Sequence, residues 1–206
     1  GKIIGSDEYK LISCRINGMT GSISAIENGK CVDNSMGFTP LSGLIMSTKS
    51  GDVDTSIIPY IMEREGKNAS EVIDDLNNRS GLFGMSEVSD NINDIVRESN
   101  SGNHKASVAI DKFIRRIVDY IAQYYVLLNG ADIITFTSDV LVNNFDILKE
   151  ICNRLSCLGV EIDSNISELS NSVEKISSKK SKVLVYVVSV DEETVIAKDT
   201  YNLINR

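Results

Sequence analysis

Residues whose types and spacing could do chemistry lie at a few separated points of this chain. Asp52 and Asp54 close the stretch VDNSMGFTPLSGLIMSTKSGDVD (32–54), where two near-adjacent carboxylates either hold a cation or cap the loop that carries them. Glu192, in DEETVIAKDT, stands at the start of a terminal helix, where an acid favours the macrodipole and Asp191 serves as N-cap. The four cysteines, Cys14, Cys31, Cys152 and Cys157, show no CxxC spacing. The last two are five apart on an expected helix and share no face, so reduced, packed thiols are expected rather than a metal site or a disulfide. His104, the one histidine, precedes a helix in a polar stretch and reads as a solvated N-terminal residue, neither ligand nor base.

The elements that must position these groups are set by hydrophobic period and punctuation. The 32–54 stretch holds one of the two prolines, Pro40, with several glycines, so it is neither a helix nor a regular strand. Its apolar residues Met36, Phe38, Leu41, Leu44, Ile45 and Met46 argue for a packed, site-forming loop rather than a linker. Before it, 10–16 and 21–26 read as a hairpin turned at Asn17-Gly18, with a third strand at Cys31-Val32. After it come a helix over 56–65 with Pro59 in its first turn, and a helix over 69–77 with Asn68 and Glu71 as a capping box. Residues 80–89 read as an apolar loop and 91–98 as a short helix. The longest periodic element, 105–128, places Ala106, Ile110, Phe113, Ile114, Ile117, Ile121, Tyr124 and Leu128 on one stripe. A strand over 131–137, a helix over 145–158 and a strand over 159–162 imply a parallel crossover. Residues 165–182 read as a loop or irregular hairpin, 183–190 as the strongest strand and 192–204 as the last helix.

Composition bounds the rest. A chain of 206 residues, 42% hydrophobic and 24% charged, can bury one core and is expected to be one domain, 1–206. The net charge of -8, with no Lys/Arg run longer than two residues, opposes nucleic acid as a partner. No apolar run reaches the roughly 18 residues that cross a bilayer, and GKIIGSDEYK has no signal-peptide core, so a cytoplasmic protein without membrane partners is expected.

In SMGFTPLSGL followed by SGDVD, the chain resembles the central signature of the acetate kinase family, which includes propionate and butyrate kinases. The similarity runs across nearly the whole chain. It implies an α/β fold, the ribonuclease-H-like lobe of the actin, sugar kinase and acetate kinase architecture, with a mixed sheet flanked by helices. It implies transfer of the γ-phosphoryl of ATP to acetate with Mg2+, in a cleft between two similar lobes. Only the second, C-terminal lobe is resembled, and the first lobe, with its catalytic arginine and aspartate, is expected to be absent from this chain. The family also dimerises through second lobes, so a homodimer is expected. The end of the 105–128 helix, with Tyr120, Tyr124, Tyr125, Val126, Leu127 and Leu128, is apolar or aromatic on more than one face, as a pairing surface requires.

The residues in the family's site positions depart from its pattern. Arg15 stands where the family's phosphate turn has histidine, and Lys49 where it has the arginine before Ser-Gly-Asp. Asn91 and Asn93 replace a nucleoside-contacting Asp-x-Arg. The strand ending in Phe136-Thr137 continues into Ser138 and Asp139 with no glycine before Asn143, whereas the family has a glycine loop there that cradles phosphate. Glu192 matches a Mg2+-associated carboxylate. Losses at the phosphate and nucleotide positions, with packing signatures kept, describe a lobe that is catalytically silent by itself and serves assembly or interaction. The alternative is a component of a working kinase, with a separate first-lobe chain and Lys49 in place of arginine.

Overall fold

Alternation in KLISCRI and GSISAIE turns Ile12, Cys14, Ile16, Ile23 and Ala25 to one buried face, and β1 (Lys10–Ile16) and β2 (Gly21–Glu27) pair antiparallel with Cys14 opposite Ile23. The computed structural model describes residues 5–17, 19–166, 169, 173–188 and 192–204. β3 (Lys30–Asn34) adds antiparallel to β2.

Five helices then follow. α1 (Ile57–Glu65) takes Pro59 in its first turn and ends at Gly66, whose φ of 67° is left-handed. α2 (Ala69–Asn78) has the capping box the sequence predicts: Asn68 Oδ1 accepts from the Glu71 N–H at 3.1 Å, and Glu71 Oε2 accepts from the Asn68 N–H at 2.7 Å. The apolar loop expected over 80–89 is instead α3 (Gly81–Ser86). Its two glycines hide the helix from propensity, and its opening N–H groups are satisfied by a distant loop, described below. α4 (Ile92–Asn100) precedes α5 (His104–Leu127), which crosses β1 and β2 and buries Ala106, Ala109, Phe113, Ile114, Ile117, Ile121 and Tyr124. His104 is the exposed first residue of α5, behind the N-cap Asn103.

β4 (Ile133–Thr137) runs parallel to β1, pairing Ile134 with Ile12 and Phe136 with Cys14 across more than a hundred residues of chain. α6 (Asp139–Asn143) and α7 (Phe145–Arg154) follow, and α7 packs on α5. The helix expected to run to 158 stops at Arg154 and continues as a 3₁₀ turn, Ser156–Leu158. No strand forms over 159–162, where only Ile162 bridges Ser177, because Gly159 turns the backbone with a φ of 85°. β5 (Val173–Lys175) is the short outer arm of the irregular hairpin, antiparallel to β6 (Leu184–Val188), and β6 is where the parallel crossover from β4 lands. α8 (Glu192–Ile204) closes the chain.

The sheet order is β3-β2-β1-β4-β6-β5, a mixed sheet with helices against it, as expected for a ribonuclease-H-like lobe. Of the thiols, Cys14 and Cys152 are packed, and burial raises both, that of Cys152 to about 12. Cys31 and Cys157 are exposed, a correction to the packed reading: one lies on the outermost strand, the other on the 3₁₀ turn outside the core. Among the described residues no helix is long and apolar enough to cross a membrane.

Candidate functional site

The loop after β3 is built by close backbone approach. Ser35 is buried and pinned to β2, its N–H donating to the Ile23 carbonyl at 2.8 Å and its Oγ accepting from the Ile23 N–H at 2.9 Å. Gly43, at a φ of 96°, passes so near that a Cβ would sit 2.2 Å from the Ser35 carbonyl oxygen. The segment then folds back on itself, with Asp52 Oδ1 accepting from the Gly43 N–H at 2.8 Å and the Asp52 N–H donating to the Gly43 carbonyl at 3.2 Å. Leu44 and Met46 are buried as expected. Phe38, expected to pack, is fully exposed at the loop tip, because Gly37 to Pro40 project beyond the anchored part.

Lys49 sits at the turn of this loop, where the Met46 N–H donates to the Lys49 carbonyl at 3.2 Å. The turn rests on the start of α3. There the Leu82 N–H donates to the Met46 carbonyl at 2.9 Å and the Phe83 N–H to the Ser47 carbonyl at 2.8 Å, so loop carbonyls satisfy the free end of a helix that has no side-chain cap. Gly81 makes the approach possible, since a Cβ there would lie 2.3 Å from the Met46 carbonyl oxygen. Lys49 is half-buried, and its ammonium meets no carboxylate among the described residues. Asp52 and Asp54 take the capping role: Asp54 Oδ1 accepts from the Ser56 N–H at 2.8 Å, and this bond holds its carboxyl below the usual range.

The ends of β1 and β4 meet at Ser138. Its hydroxyl donates to the Ile16 carbonyl and accepts from the Leu141 N–H at 2.9 Å, so it both joins the strands and N-caps α6. The glycine-free segment is therefore a short helix, not an open loop; β-branched Val140 and Val142 fit a turn capped by serine. Asn91 N-caps α4 by accepting from the Asn93 N–H at 2.9 Å, and Asn93 Oδ1 accepts from Asn144 Nδ2 at 2.8 Å, which bridges α4 to the start of α7. Between these parts opens a cleft of about 360 Å³, walled by Met19, Ser47-Thr48, the 90–93 segment and α6. A second cavity of about 390 Å³ adjoins it across Asn143, backed by Ile110, Ile114, Phe145 and Ile147.

The structure thus brings Asn91, Asn93, the α6 segment behind Ser138 and the neighbour of Lys49 to one cleft. Arg15 lies at the end of β1 opposite Thr137 and Ser22, on the sheet face away from α5, and does not line that cleft. The side chains of Asp139 and Glu192 lie outside the described residues, although Glu192 does begin α8. Ser47, Thr48, Asp90 and Asn143 line the cleft without having been singled out in the sequence; the signal that could have found Asp90 is its place just before an N-cap. Among the described residues no group of three or more His, Cys, Asp or Glu gathers to hold a metal, and the loop aspartates are engaged within the fold, Asp52 by the Gly43 N–H and Tyr120 Oη and Asp54 by the Ser56 N–H.

Residues 2–198 match the model of the acetokinase family. The chain belongs to that family. It is 42% identical over 199 residues to an acetate kinase of Treponema denticola, covering 97% of this chain and 50% of that protein. It is 44% identical over 197 residues to an acetate kinase of Phocaeicola vulgatus, covering 96% and 49%. A crystal structure of Porphyromonas gingivalis acetate kinase superposes with a TM-score of 0.91 at 35% identity, over 98% of this chain and 51% of that one. A propionate kinase from Francisella tularensis does so at 0.86 and 33%, over 95% and 50%. This acetokinase-family chain therefore spans about half the length of the relatives it matches, and the described residues that line its cleft include no lysine or arginine.

Proposed function

We propose that this acetokinase-family lobe, about half the length of the relatives it matches, is catalytically silent by itself and serves as an assembly module. The observation that carries this reading is the cleft at Asn91, Asn93 and α6. Among the described residues its polar lining is amide, hydroxyl and the carboxylate of Asp90, so a polyphosphate entering it meets no cation among them, and at α6 the Leu141 N–H is already taken by Ser138. Mg·ATP is therefore expected not to bind this chain measurably at millimolar concentration. Titration calorimetry showing saturation tighter than about 100 μM, roughly -5.5 kcal/mol, would refute the reading.

Lys49 favours a second reading, in which the lobe is a component of a working acetate or propionate kinase with the first lobe supplied elsewhere. Its ammonium stands on a braced turn without a carboxylate partner among the described residues, as a group reserved for an anion would. Mixing this chain with the first lobe of a relative and assaying ADP formation from ATP, Mg2+ and acetate separates the two: activity above that of either part supports the component reading, and none supports the silent one. For assembly, Val126 and Leu127 are 75% and 50% exposed at the end of α5, apolar area of the kind a two-fold interface covers. Light scattering at micromolar concentration is expected to report twice 22.6 kDa, and the monomer mass alone would remove the assembly reading.

A further inference from the structure

One carboxylate does more than cap its loop. Asp52 Oδ1 closes the 43–52 segment onto Gly43, and its other oxygen, Oδ2, accepts from Tyr120 Oη at 2.6 Å, with Arg116 Nη1 at 3.8 Å. Tyr120 and Arg116 are one turn apart on α5, the helix whose opposite stripe is the core of the lobe, and the Tyr120 ring is itself braced by Tyr124, centroids 5.9 Å apart. Between Gly43 and Asp52 lies only the turn that carries Lys49. The far side of that turn is held by α3, which also packs on α5.

We propose that Tyr120 and Arg116 are positioning residues which, through Asp52, set the Lys49 turn against the cleft. The physical basis is division of labour within one carboxylate. A single aspartate makes a backbone contact that closes the loop and a charge-assisted contact that fixes the closed loop to the most deeply anchored helix. With the second contact removed, the loop keeps its closure but loses its seat on α5, and the Lys49 turn loosens on that side while α3 and the end of α2, whose Leu76 carbonyl accepts from the Ser50 N–H at 2.9 Å, hold the other. The inference rests on the reading that Lys49 faces an anion in the assembled cleft, but its test does not require activity.

The test uses the 206-residue chain and Tyr120→Phe, which removes one hydroxyl and keeps the ring. Hydrogen exchange of peptides spanning 43–52 is expected to quicken about tenfold, the effect of losing one hydrogen bond to a charged group, while β1 and β4 exchange as before. Acetic anhydride labelling at Lys49 is expected to rise with it, with Lys105 and Lys149 on other elements as internal controls. Asp52→Asn should give the same local effect, and the double variant no more than either alone, because both cut the same link. Unchanged exchange at 43–52, uniform quickening of the whole chain, or additive effects would overturn the proposal. Failure of the functional reading shows elsewhere: Lys49→Ala leaving ADP formation unaltered in the mixed-lobe assay would refute the role of Lys49 and leave the exchange result standing.

Discussion

At position 49 the chemistry turns on shape more than charge. Lysine offers a compact ammonium on a flexible stem, whereas arginine presents a planar fork that matches two phosphoryl oxygens at once. An arginine in such a role is worth about 10³ to 10⁵ in rate in other phosphoryl-transfer enzymes. Lys49→Arg is therefore expected to raise turnover in the mixed-lobe assay with little change in KM, and a fall in turnover would show that the turn is used differently here. Gly81 gives a prediction about stability at the same scale. Its φ is 61° and a Cβ would meet backbone oxygen at 2.3 Å, so neither a rotamer nor a side-chain shift relieves the clash. Gly81→Ala is expected to cost at least about 1–3 kcal/mol in urea unfolding, with 43–52 loosened first.

Among the elements, α2 offers the cleanest check. Asn68→Ala removes the acceptor of the Glu71 N–H while keeping the backbone N–H that donates to Glu71 Oε2, and is expected to cost about 1 kcal/mol in thermal or urea unfolding; a change within error would mean the lost half of the cap is fully replaced by water. That cap was legible because its whole mechanism lies within four consecutive residues. The hairpin and α5 were legible for a related reason: period and turn chemistry act locally, and α5 repeats its stripe over six turns. α3 was not, since GLFGMS is a poor helix alone and is helical because Met46 and Ser47, some thirty-five residues earlier, supply its acceptors. Residues 159–162 failed in the opposite sense, having strand-like Val160 and Ile162, but the left-handed turn at Gly159 leaves them a single bridge and scattered backbone bonds to 176–182 in place of a ladder. The site divided in the same way. Motif matching found Lys49, Asn91, Asn93 and Ser138 by position, but nothing local announced that Asn93 would be bound by Asn144, that Ser138 would clamp Ile16, or that Asp52 would reach Tyr120, because each partner lies 51 to 122 residues away.

For the whole molecule, the weak acids in and against the core set its response to base. Tyr120 is pushed up to about 12 from 10.0, by burial and then by its bond to Asp52; burial raises Tyr124 as well, and the Cys14 and Cys152 thiols from 9.0. Each is held protonated in the folded state while the unfolded chain ionises, so their stabilisation is complete below the unfolded values and is lost as pH climbs through the folded ones. Urea midpoints are expected to fall between about pH 9 and pH 12, and a flat profile across that window would contradict the burial of these groups. Connectivity shapes a different property. The parallel seam between β1 and β4 joins the first strand of the lobe to one that lies more than a hundred residues later. During synthesis at roughly 5–20 residues per second, the hairpin leaves the ribosome with one side of β1 unpaired for on the order of ten seconds before Ile133 exists to meet it. For that interval the nascent chain displays the hydrogen-bonding edge of an apolar strand, and α5, whose residues are themselves made only at its end, covers a face of β1 and leaves that edge open until β4 arrives.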